Sequence, residues 1–121
     1  MRYARRMRAF AQALDLVDDA SMIEEYVAAH ERVWPEVVAA LTSIGIGRMK
    51  IFLLGSRLFM YFEAPDDFDP ARDYQAYAED PRCREWDELM RRYQRPAPGA
   101  PEGAWWASMR EVFCLESQRP S

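Results

Sequence analysis

The chain has 121 residues, half of them hydrophobic, and its 20 acidic and 16 basic side chains leave a formal net charge of −4. That length supports one domain with a real core and is too short for two, while the acidic balance argues against a nucleic-acid partner. No run approaches the roughly 20 apolar residues of a membrane span, and the two cysteines, Cys83 and Cys114, form neither a metal-spaced set nor a disulfide framework, so a reducing cytoplasm is the expected compartment.

Positions 1–7 read as a basic arm, 8–115 as a single α+β domain and 116–121 as a tail. The opening is expected to be a basic arm rather than an export signal, because Gln12 and Asp15 break the apolar stretch behind it. Residues 7–17 predict a strand, with Met7, Ala9, Ala11, Ala13 and Asp15 on one side and Arg8, Phe10, Gln12, Leu14 and Leu16 on the other. Ser21 followed by Glu24 has the spacing of a capping box and predicts a helix starting there, with Ile23, Val27, His30 and Trp34 on its inner stripe. Pro35 removes a backbone donor, so the helix kinks or restarts at it. Val37, Val38, Leu41 and Ile44 are expected to bury the second half, and Gly45 and Gly47 to stop it.

Two apolar runs, Arg48–Leu54 and 57–64, flank Gly55-Ser56 and predict a hairpin. Residues 66–70 form a turn, 70–95 carry helical spacing interrupted near Asp80-Pro81, 96–103 form a Pro/Gly/Ala loop, and 105–115 close as a last strand. Strand, helix, two strands, helix, strand is the order of a ferredoxin-like α+β domain, an antiparallel sheet with helices on one face. The other face needs cover, so a C₂ homodimer sharing a barrel-like core is expected.

The chemistry concentrates on the one histidine. Tyr26, His30 and Trp34 recur at i, i+4, so a continuous helix would line phenol, imidazole and indole along one face. Imidazole titrates near neutral pH and can both take and give a proton within a turnover. Read without a family, Tyr26 and Trp34 equally suit core anchoring, and Trp86, between Glu85 and Asp87, suits a half-buried structural place. Trp105 and Trp106 suit either a pocket rim or an anchor for the last strand, the methionines suit core filling, and Asp66, Asp67 and Asp69 suit a solvated turn.

Glu25-Tyr26 through His30 to Val33-Trp34-Pro35-Glu36, with Leu58-Phe59-Met60, Cys83-Arg84-Glu85-Trp86, Met90 and Arg110-Glu111-Val112-Phe113-Cys114-Leu115, resembles the L-rhamnose mutarotase family over about residues 8–115. The resemblance implies a dimeric enzyme, without metal or cofactor, that interconverts the α and β anomers of a 6-deoxy sugar. It implies that His30 is the acid/base histidine, Tyr26 its companion and Trp86 an aromatic wall; Trp34, an aromatic on the same helix run, is expected to stack on the apolar sugar face beside Trp86. Met49 stands where the rhamnose-specific members carry a second tyrosine, and Asp87 where they carry a paired tryptophan. Both positions belong to the sugar site in the family, so L-fucose, whose C2 and C4 hydroxyls differ in orientation from those of L-rhamnose, stands beside it as substrate. Two other readings use the same architecture: a cofactor-free monooxygenase with an apolar cavity, and a small-ligand binding module in which His30 only donates a hydrogen bond.

Overall fold

The computed structural model describes residues 6–118; residues 1–5 of the arm expected at 1–7, and 119–121 of the expected tail, lie outside them, and Met7 opens the first strand. Strand β1, Met7–Leu16, runs down the middle of an antiparallel sheet. On one side it pairs with β3, Arg57–Pro65, from Met7 opposite Pro65 to Asp15 opposite Arg57, and β3 pairs in turn with β2, Arg48–Leu54. On the other side lie β4, Gln94–Arg95, and β5, Ala107–Ser108, which share the fourth position of the ferredoxin-like order. The Gly55-Ser56 hairpin forms as expected, and Arg57 beside it donates Nε–H to Asp15 Oδ1 at 2.8 Å, which partners a buried carboxylate.

Helix α1 spans Ala20–Ala29 and α2 spans Pro35–Ser43. The N-cap of α1 is Asp19, not Ser21: Asp19 Oδ1 accepts from Met22 N–H at 3.0 Å, and the Ser21 hydroxyl donates to the same oxygen. An ionised carboxylate at that position outcompetes a hydroxyl for the orphan amides of the first turn. The restart at Pro35 is as expected, with proline at the first helical position. Gly45 follows at φ +108°, where an added Cβ would stand 3.3 Å from Pro65 Cδ.

Helices α3, Pro70–Ala78, and α4, Pro81–Arg91, are separated at Asp80-Pro81, with Asp69 and Asp80 as side-chain caps. Leu14, Leu16 and Leu58 from the sheet pack with Tyr26, Val37, Trp86 and Met90 from the helices into one core; Ile46, Met60, Phe62 and Phe68 form a second.

Four expectations are corrected. Val27 and Val38 are exposed at 39% and 51%, because their neighbours Tyr26 in α1 and Val37 in α2 take the buried face. Residues 94–95 belong to a strand, because α4 ends at Arg91. The closing strand expected over 105–115 contracts to Ala107–Ser108, extended by a bond from Met109 N–H to the Ala11 carbonyl at 2.8 Å. Beyond it Val112 and Phe113 lie exposed, and Leu115–Gln118 forms a short helix, α5.

Candidate active site

Between the helices and the inner face of the sheet lies a cavity of about 790 Å³, within the range of small-molecule sites. Tyr26 and His30 reach it from α1 and its C-cap, Met49 from β2, and Trp86 and Asp87 from α4. Trp34 does not line it. Helix α1 ends at Ala29 and Trp34 caps α2, so the single line of three rings expected from the spacing is broken after His30. Trp34 packs behind Trp86, at 5.3 Å between ring centroids, and carries the Arg82 guanidinium at 3.8 Å on its ring.

His30 is held by the end of its own helix. Its Nδ1–H donates to the Tyr26 carbonyl at 2.9 Å, one of the carbonyls that the last turn leaves with capacity to spare. A carbonyl only accepts, so Nδ1 carries the proton and Nε2 the lone pair. Nε2 has no protein partner among the described residues, and no half-buried or buried side chain there holds a sealed, unpartnered nitrogen or oxygen. That nitrogen is therefore not sealed, and the ring that carries it lines the cavity. Burial lowers the imidazole pKa below 6.5, against the smaller opposite effect of the Tyr26 carbonyl. The ring is neutral at pH 7, with Tyr26 4.3 Å away on one side and the edge of Trp86 at 5.5 Å.

Two polar chains that the sequence reading missed complete the walls. In the first, Trp105 Nε1–H donates to Gln94 Oε1 at 2.5 Å, and Gln94 Nε2–H donates to the Tyr26 phenol oxygen at 3.2 Å. The Tyr26 oxygen is thus fixed as an acceptor, its own proton stays free to be given, and burial raises its pKa. In the second, the Tyr77 hydroxyl donates to Asp87 Oδ1 at 3.0 Å. Burial raises the pKa of Asp87 while that hydrogen bond pulls it back; Tyr77 is pushed up too, and Tyr74 beside them to about 12. The i, i+3 spacing of Tyr74 and Tyr77 was legible as a helix face, but nothing local said that the face borders a cavity rather than a core. Among the described residues no group of three or more His, Cys, Asp or Glu side chains is placed to hold a metal ion, and no helix is long and apolar enough to cross a membrane.

With that geometry in place, comparison with known proteins is informative. The family model described as L-rhamnose mutarotase matches residues 9–115. The chain belongs to the L-rhamnose mutarotase family. It is 53% identical to a UPF0734 protein of Dictyostelium discoideum, with 90% of each chain covered. It is 40% identical to the L-fucose mutarotase of Xanthomonas campestris pv. campestris, over 90% of this chain and 89% of that one. The crystal structure of an L-rhamnose mutarotase from Formosa agariphila superposes with a TM-score of 0.66 at 19% identity, covering 89% of this chain and 98% of the other. That last likeness speaks for the fold.

Proposed function

We propose that this family member interconverts the α and β pyranose anomers of a 6-deoxy-L-aldohexose, with L-fucose preferred over L-rhamnose. The observation that carries the reading is the neutral His30 ring, tied at Nδ1 and unsealed at Nε2, in the lining of a cavity of monosaccharide size. Family membership favours this reading over the oxygenase and the binding module. The preference for L-fucose is supported by the 40% identity to the Xanthomonas L-fucose mutarotase and by Met49 and Asp87 in the lining.

Ring opening needs a proton removed from the anomeric hydroxyl and another delivered to the ring oxygen. With its lone pair at Nε2, His30 serves first as the base at the anomeric hydroxyl. Tyr26, protonated and anchored by Gln94, gives its proton to the ring oxygen as the C1–O5 bond breaks. The open aldehyde rotates, the ring oxygen attacks the other face of C1, Tyr26 recovers its proton, and His30 returns the one that it took. Each positioned group contributes about 10²- to 10⁴-fold. Trp86 offers the apolar wall for the sugar face and C6 methyl, and Asp87 Oδ2 an acceptor for a hydroxyl.

The protein works as a homodimer in the cytoplasm. The homodimer is supported by the apolar face opposite the helices, where Phe52, Leu54 and Phe59 are exposed. The compartment is supported by Cys83 and Cys114, both free. Exchange NMR on L-fucose, L-rhamnose and ordinary aldohexoses tests the function: the wild type accelerates anomer exchange of a 6-deoxy-L-sugar, and His30→Gln loses at least about 100-fold. A His30→Gln protein that keeps most of the rate refutes the assignment.

A further inference from the structure

From Phe10 onward the inner face of β1 reads Phe10, Gln12, Leu14, Leu16, and in that stretch only Gln12 is polar. Its backbone is paired on both sides, opposite Met60 of β3 and Ser108 of β5, which leaves the side chain pointing between Phe10 and Leu14 toward the helices. The residue is 8% exposed. Its carboxamide makes no hydrogen bond among the described residues, yet no buried side-chain nitrogen or oxygen there is both sealed and unpartnered. The remaining exposure therefore belongs to the amide, and Gln12 lines the same cavity as His30.

A side chain nine-tenths buried whose amide has no protein partner is less favourable on this strand than a methionine or leucine, which would complete the apolar face. A group of this kind on a rigid strand is what a site carries when a ligand supplies the missing partner. A carboxamide donates and accepts at once, which matches a hydroxyl or a pair of neighbouring hydroxyls. The cavity places it on the sheet floor, apart from the helix-borne proton-transfer groups.

We infer that Gln12 is a specificity residue of the cavity, holding a secondary ring hydroxyl of the bound pyranose and so choosing among sugar epimers. This rests on the mutarotase reading. Gln12 leaves the proton transfers to His30 and Tyr26; it sets which sugar lies flat on the floor with its anomeric carbon at Nε2.

The test is anomer exchange with the better of L-fucose and L-rhamnose and with its 2-, 3- and 4-deoxy analogues, in wild type, Gln12→Met and Gln12→Leu. Both replacements are expected to lower kcat/KM for the parent sugar by about 10- to 100-fold, mostly through KM. For the one analogue lacking the bound hydroxyl the loss shrinks to about twofold or less, since wild type has already forfeited that contact. Without sugar, the Tm of at least one variant equals or exceeds that of wild type. Folded variants with unchanged kcat/KM, an equal loss with every analogue, or a lowered Tm in both variants overturn the proposal while an active wild type leaves the mutarotase reading standing. A wild type that accelerates exchange of no sugar overturns that reading and this inference with it.

Discussion

At the scale of single residues, the decisive fact is where one proton sits. The imidazole of His30 keeps its proton on Nδ1, where it donates a hydrogen bond to the Tyr26 carbonyl, and is held neutral by burial. A base of this kind works only when unprotonated, so kcat/KM should stay flat above pH 6.5 and fall with an apparent pKa below that value. A rate that declines already from above pH 7 refutes the role. The same shift acts on stability: the unfolded imidazole takes up its proton near 6.5 and the folded one only at lower pH, so the folded state loses stability as pH falls from 6.5 through the folded pKa. Sequence spacing revealed Tyr26 and His30 because both sit within one stretch of helix and its cap. Gln12 and Gln94 were not legible as cavity residues, because an amide on a strand acquires meaning only from what faces it across the fold; Trp105, read as either a pocket rim or a strand anchor, lines the cavity.

At the scale of elements, the break between α1 and α2 reorganises the site. Pro35 announced a restart, and that much was readable; the restart also lifts Trp34 off the line of Tyr26 and His30 and sets it behind Trp86. Trp34 therefore supports the wall without forming it. Trp34→Phe should lower stability by about 1 kcal/mol through lost packing under Arg82 and Trp86, and leave KM for the sugar within about twofold of wild type, checked by thermal unfolding alongside exchange kinetics. A KM raised tenfold at unchanged stability would instead put the indole in the pocket. The misplaced N-cap and the shortened last strand have separate causes: Asp19 outbid Ser21 through charge, and 110–114 pairs with no strand among the described residues.

At the scale of the whole molecule, the ferredoxin-like order was legible because the period of apolar residues changes cleanly between strands and helices. The outer sheet face carries Phe52 stacked on Phe59 at 6.1 Å, with Leu54 84% exposed beside them. Sedimentation should show a dimer for the wild type, and Phe52→Glu should shift it toward monomer by placing an unpaired carboxylate on that face; a monomeric wild type refutes the proposed assembly. One further tie spans the molecule. The phenol of residue 26 receives its anchoring amide through an indole that belongs to residue 105, far down the chain. With the proposed role of Tyr26, a polypeptide emerging from the ribosome gains its anchored phenol only once that late tryptophan has docked, so chemical competence would arrive with the completion of folding rather than with the first helix.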